Sequence, residues 1–216
     1  MIKGLVFDMD GLLLDSERIV QRSWYEAGKV MGIPDLGEHI YHTLGLNRKA
    51  RDGYFRHAFG LDFPLEEFNQ KTSDIFFQIV GDTGIPLKPG VRNLLEYAKE
   101  HGYKIAVATS SSRKYAIKEL TNAGIWTFFD NGIFGDMIEN TKPDPEIYLK
   151  ACESIRLKPY ECLALEDAPA GIRSAHAAGL RVIAVPDLVQ PDEAILALTY
   201  KKLDTLHDVI PLLKEE

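Results

Sequence analysis

Apolar and polar positions along this chain follow two regimes. The first readable element is the short run Gly4-Leu5-Val6-Phe7-Asp8, closed by Gly11. Such a run predicts a strand buried on both faces, of the kind found in parallel sheets. From Ser16 to Gly81 the spacing turns helical, with periodic stretches over 16–31, 47–58 and 65–80. Trp24, Tyr25, Tyr54, Phe55, Phe59, Phe63, Phe68, Phe76 and Phe77 crowd this stretch. Aromatics at helical spacing predict the core of a small helical bundle.

After the turn Gly84-Ile85-Pro86-Leu87-Lys88-Pro89-Gly90 the pattern alternates. It predicts strands at 104–109, 132–134, 162–166 and 181–185, separated by helices at 91–101, 113–123, 145–154 and 169–178, with a last helix at 206–213. Strands alternating with helices of this length imply right-handed crossovers and a parallel sheet. The reading is therefore an α/β core, residues 1–15 and 82–216, interrupted by a helical insertion at 16–81. The connections near Leu14-Asp15 and Gly84-Pro86 would act as hinges.

Open parallel sheets bind ligands at the carboxyl ends of their strands. The first strand ends in Asp8 and Asp10, the second in Thr109-Ser110-Ser111-Ser112, and the fourth in Glu166-Asp167. Before the fourth, Asn140-Thr141-Lys142-Pro143-Asp144-Pro145 holds a lysine between turn residues. Each signal has an ordinary reading of its own: a helix cap, a helix-start charge pair, a surface lysine. Their occurrence in order, each at a strand end or just before one, points to a single crevice. Crowded carboxylates raise one another's pKa or recruit a cation. An oxygen-only set without paired histidines suits Mg²⁺ better than zinc. Hydroxyls and amides at a helix start make an anion site. Together these features suggest phosphoryl transfer.

Composition narrows the partners. The chain has 216 residues, 45% of them hydrophobic and 26% charged, which excludes disorder as the dominant state. The net charge is −7, which argues against a nucleic-acid polymer as partner. The basic cluster Arg48, Lys49, Arg51, Arg56 is enough to meet one small anion. Cys152 and Cys162 lack metal-ligand spacing and are expected to be reduced, partly buried thiols. No run matches a membrane span or a signal-peptide core, so the expectation is a cytoplasmic, monomeric protein without a membrane partner.

The motifs Asp8-Met9-Asp10-Gly11-Leu12-Leu13, Thr109-Ser110-Ser111, Lys142-Pro143-Asp144-Pro145 and Glu166-Asp167-Ala168-Pro169-Ala170-Gly171 resemble the four motifs of the haloacid dehalogenase (HAD) superfamily. The last has the form of the β-phosphoglucomutase-like subgroup, and the insertion matches the position of that subgroup's helical cap. The resemblance spans the whole chain. It implies a Rossmann-like core with an inserted cap and a Mg²⁺-dependent phosphatase acting on a small phosphorylated metabolite, a sugar phosphate or nucleotide. Asp8 would be the nucleophile that forms an aspartyl-phosphate, and Asp10 the general acid and base. Asp8, the Asp10 backbone carbonyl and Asp167 would hold the metal, with Glu166 ligating it directly or supporting a ligand. Thr109, Ser110 and Lys142 would bind the transferring phosphoryl group. Asp10 points to phosphate esters, since the family's dehalogenases lack it. Both aspartates are retained, which argues against a purely binding homologue. The alternative enzyme is a sugar phosphate mutase. β-Phosphoglucomutases carry a cap histidine where Val20 stands, which favours the phosphatase, whereas Arg48 falls where they have a phosphate-gripping arginine. Lys71 is a candidate second cap cation.

Overall fold

The computed structural model describes residues 1–215. Its sheet contains β1 (Gly4–Phe7), β2 (Lys104–Thr109), β3 (Asn131–Phe134), β4 (Cys162–Glu166), β5 (Arg181–Ala184) and β6 (Lys201–Lys202). The order is β3-β2-β1-β4-β5-β6 and every pairing is parallel. The first strand therefore lies in the middle, with Leu5 opposite Ile105 on one side and Leu163 on the other. This puts the ends of β1, β2 and β4 side by side, as the strand-end argument requires.

The two faces of the sheet differ in side-chain size. Leu5, Phe7, Ile105, Val107, Leu163 and Leu165 belong to a core packed under α4 (Val91–Glu100), α5 (Arg113–Asn122) and α9 (Val209–Lys214). On the other face Val6, Ala106, Ala108 and Ala164 meet α6 (Glu146–Ser154) and α7 (Pro169–Ala177). Alanines at these positions let the two helices lie close to the strands.

Between β1 and β2 come α1 (Glu17–Met31), a 3₁₀ segment Leu36–His42, α2 (Arg48–Phe59) and α3 (Leu65–Val80). Trp24, Leu36, Ile40, Phe55, Phe63 and Phe68 form their shared core, with ring centroids 5.2 Å apart for Trp24–Phe55 and 4.6 Å for Phe55–Phe68. Not all the aromatics serve that core. Phe76 packs instead with the core under the sheet, near Tyr115, and Phe77 is exposed, while Phe59 stacks on Phe55 and Phe63 at the rim of the bundle core. The end of α3 leaves the bundle and lies on the sheet domain.

The two connections run antiparallel to each other. The amide of Asp15 donates to the Pro86 carbonyl at 2.8 Å, and that of Lys88 to the Leu13 carbonyl at 3.0 Å. An ionic cluster ties them down: Asp187 Oδ1, on the loop after β5, lies 2.7 Å from both Arg18 of α1 and Lys88.

Small elements escaped the periodicity. They include the 3₁₀ segment Leu36–His42, three short 3₁₀ turns at Gly81–Thr83, Trp126–Phe128 and Pro159–Glu161, α8 (Glu193–Leu196) and β6. β6 is two exposed lysines at the sheet edge, which carry no apolar alternation and discourage edge pairing. The last helix is a 3₁₀ turn at Leu206–Asp208 followed by α9. Both cysteines are free and buried. Among the described residues no helix is long and apolar enough to cross a membrane.

Candidate active site

β1 stops at Phe7, and the chain turns at once, so Asp8 and Asp10 sit just past its carboxyl end. Gly11 makes that turn with φ +85°, and a Cβ there would lie 2.3 Å from Asp167 Oδ2. Only glycine meets both demands. That turn and the end of β4 are thus pressed together, which brings Asp8 near Glu166 and Asp167.

Lys142 is 1% exposed, and its ammonium reaches Asp8 Oδ1 at 2.5 Å, Glu166 Oε1 at 2.7 Å and the Ala108 carbonyl at 3.2 Å. Burial alone would lower its pKa, but Asp8 and Glu166 more than offset that and raise it. It is a fixed positive charge. Asp8 moves the other way: burial pushes it up to about 7, against the pull of Lys142 and with the help of Glu166 and Asp10. Asp167 is raised well above the ordinary carboxylate range by burial first, then by Glu166, Asp8 and Glu17.

One carboxylate oxygen from each of Asp8, Glu166 and Asp167 lies within 4.8 Å of the others. Three buried acids against one lysine leave uncompensated negative charge. The donor set, all oxygen, fits a hard divalent cation.

Asp10 is oriented by hydroxyls. Its Oδ1 accepts from Ser16 at 2.8 Å, and its Oδ2 from Ser111 at 2.7 Å and Thr109 at 3.5 Å. Burial raises its pKa, opposed by those hydrogen bonds. The sequence does not single out Ser111 or Ser16 for this role: Ser111 meets Asp10 once β1 and β2 are paired, and Ser16 once the chain turns back after Gly11. Ser110 turns toward the helical insertion and donates to the Gly45 carbonyl at 2.8 Å.

Asp8, Asp10 and Thr109–Ser112 floor a cavity of about 460 Å³ between the sheet and the helical insertion. Val20, Arg48 and Arg51 are in its walls, and Lys71 is not. Lys71 pairs with Glu67 along α3 at 3.5 Å. Arg48 is largely exposed beside Asp52. Arg51 is the better-held cation: it donates to Asn69 Oδ1 at 2.9 Å, lies over the Trp24 ring, and its Nε is buried without a hydrogen-bond partner. Glu17 also faces the cavity, and burial, Asp10 and Asp8 raise its pKa well above normal. Glu17 and Arg51 were legible in the sequence only as charges next to a motif and within a basic cluster.

Residues 5–185 match the family model described as haloacid dehalogenase-like hydrolase. The chain belongs to that family. Its haloacid dehalogenase-like relatives include a phosphorylated carbohydrates phosphatase of Thermotoga maritima, 27% identical over 99% of both chains. Hexitol phosphatase B of Escherichia coli O157:H7 is 28% identical, over 96% of this chain and 94% of its own. Among solved structures, CbbY from Rhodobacter sphaeroides in complex with phosphate superposes with a TM-score of 0.80 at 28% identity, covering 97% of this chain and 96% of its own. The haloacid dehalogenase fold and the phosphoric monoester hydrolase activity expected from the four motifs are those of its relatives.

Proposed function

We propose that this hydrolase cleaves the phosphate monoester of a small sugar or sugar alcohol in two displacements at Asp8. The observation that carries the reading is the buried Lys142–Asp8 contact at the floor of a cavity that Asp10 also lines. One Asp8 oxygen attacks phosphorus, the bond to the leaving oxygen breaks, and Asp10 gives that oxygen its proton. Asp10 then takes a proton from the water that attacks the aspartyl-phosphate, releasing inorganic phosphate and free Asp8. Thr109, Ser110 and Lys142 would hold the phosphoryl oxygens, Ser110 by exchanging its contact with Gly45 and Lys142 by exchanging its contact with the Ala108 carbonyl for the substrate. Asp8, Glu166 and Asp167 fit Mg²⁺, whose chemistry when bound is to neutralise charge on the phosphoryl group.

The leaving group would lie against Val20, Trp24, Glu17 and Arg51. Glu17 and Arg51 suit hydroxyl groups, as acceptor and donor. The names of the relatives, a carbohydrate phosphate phosphatase and a hexitol phosphatase, agree with that class. Val20 offers no hydrogen bond to a transferring proton, which favours hydrolysis over mutase chemistry.

Phosphorus NMR with a panel of sugar, polyol and nucleoside phosphates tests this. Free phosphate should appear only with Mg²⁺, vanish with chelator, and be absent for a folded Asp8→Asn variant. Turnover by that variant would refute the mechanism. Conversion of a 1-phosphate to a 6-phosphate would replace the phosphatase reading with the mutase one.

A further inference from the structure

Lys142 has three N–H bonds to give, and its three acceptors, Asp8, Glu166 and the Ala108 carbonyl, use them all. Its position on Asp8 therefore depends on where Glu166 stands. Glu166 is held in turn at both oxygens. Oε2 accepts the amides of Asp167 and Ala168 at 3.1 and 3.2 Å, and Oε1 accepts Lys142 and the hydroxyl of Tyr148, each at 2.7 Å. Tyr148, on α6, is fully buried, and the Lys142 ammonium lies 5.1 Å from its ring centroid.

We propose that Tyr148 is a positioning residue for the hydrolysis, acting through Glu166 to keep the Lys142 ammonium on Asp8. The inference rests on the functional reading above for the roles of Asp8 and Lys142. The physical case is one of competition. Oε1 shares its charge between two donors, and the terminal torsion of a glutamate is broad. With the hydroxyl gone, Glu166 retains only Lys142 at that oxygen. The carboxylate, still held at Oε2 by the two amides, can then swing Oε1, and it draws the ammonium toward itself and away from Asp8. No buried side chain other than Tyr148 donates to Glu166 Oε1 besides the lysine itself, among the described residues.

Tyr148→Phe tests this, because it removes the hydroxyl and keeps the ring. Two measurements are made on the Mg²⁺-loaded protein. The first is the proton–nitrogen resonance of the Lys142 ammonium without substrate, assigned by its absence in Lys142→Met. A buried ammonium with three acceptors exchanges slowly; in Tyr148→Phe the resonance should shift and its exchange with water quicken by about tenfold. The second is steady-state phosphate release. Tyr148→Phe should lower kcat about tenfold with KM within twofold, and should cost less than twofold when introduced into Glu166→Gln. An equal loss in both backgrounds, or an unmoved ammonium resonance, would overturn the proposal, since a merely structural hydroxyl would act independently of Glu166. If no phosphate ester is turned over at all, the functional reading fails, and the ammonium resonance still decides whether Tyr148 positions Lys142.

Discussion

Replacing Gly171 by alanine sets two opposite effects against each other. Gly171 lies inside α7, where alanine is the better helix former by about 1 kcal/mol. Propensity alone predicts a more stable protein. The space says otherwise. A Cβ at Gly171 would stand 1.7 Å from Glu166 Oε1 and 2.0 Å from its Cδ, far inside the 3.0 Å that real Cβ atoms respect. The carboxylate has to retreat by more than an ångström, or α7 has to lift from the sheet. Overpacking a core costs about 1–3 kcal/mol. Retreat also breaks at least one hydrogen bond to the charged carboxylate, at about 1.5–3 kcal/mol. Less the helix term, the variant should be destabilised by roughly 1.5–5 kcal/mol. Urea unfolding followed by circular dichroism measures this directly, and kcat should fall at least as far as in Tyr148→Phe, because both displace Glu166. Gly53 supplies the control. It lies in α2 with nothing within 4 Å of where its Cβ would be, so Gly53→Ala should stabilise by about 0.5–1 kcal/mol. Equal shifts of the same sign in the two variants, or a Gly171→Ala protein with native stability and kcat, would refute the claim that Glu166 fills that space.

Two further outcomes follow from other parts of the site. Glu146 accepts from Lys150 and from the amides of Asn140 and Glu139, which pull its pKa down to about 2 and pin the loop leading to Lys142. A depressed folded-state pKa stabilises above the ordinary carboxylate range and ceases to do so as pH falls toward the folded value. Glu146→Gln should therefore melt lower than the wild type at pH 7, with the gap closing between pH 4.5 and about 2; a gap independent of pH contradicts this. In the cavity wall, Arg51→Met should raise KM about tenfold, whereas Lys71→Ala should leave it within twofold. The reverse order, read from steady-state kinetics, would show that α3 rather than α2 supplies the substrate's cation.

Buried parallel strands and amphipathic helices declare themselves by periodicity, which is why β1, β2 and β4 were found where Leu5, Val107 and Leu163 now pack. Asp8, Asp10, Lys142, Glu166 and Asp167 were legible for a related reason. Four stand at strand ends and Lys142 in the loop between β3 and α6, so topology carries each to the crevice. The residues that orient them were not. Ser16 differs from other serines only in facing Asp10, and Ser111, though within the second motif, carries no mark of that contact. Tyr148 reads as one more apolar position on α6, because its single polar atom shows no pattern in sequence. The cap wall was the hardest to read. Arg51 and Lys71 are both helix-borne cations, and which faces the cavity depends on how α2 and α3 rotate about the Trp24–Phe55–Phe68 cluster. The aromatic count located that cluster but not the exit of Phe76 from it.

The paired connections carry a consequence for how such a protein diversifies. The polypeptide leaves the sheet domain after Leu13 and returns at Lys88, and those two points are hydrogen-bonded neighbours. Everything between them enters and departs through one doorway. A segment with adjacent ends can be lengthened, shortened or exchanged for another without moving a strand, because the gap it must span stays the same. The acids on the strand ends and most of the cavity wall above them then sit on stretches of chain that can change separately. A segment grafted between Leu14 and Leu87 would have to keep Ser16 and Phe76, which reach from it to Asp10 and to the core under the sheet.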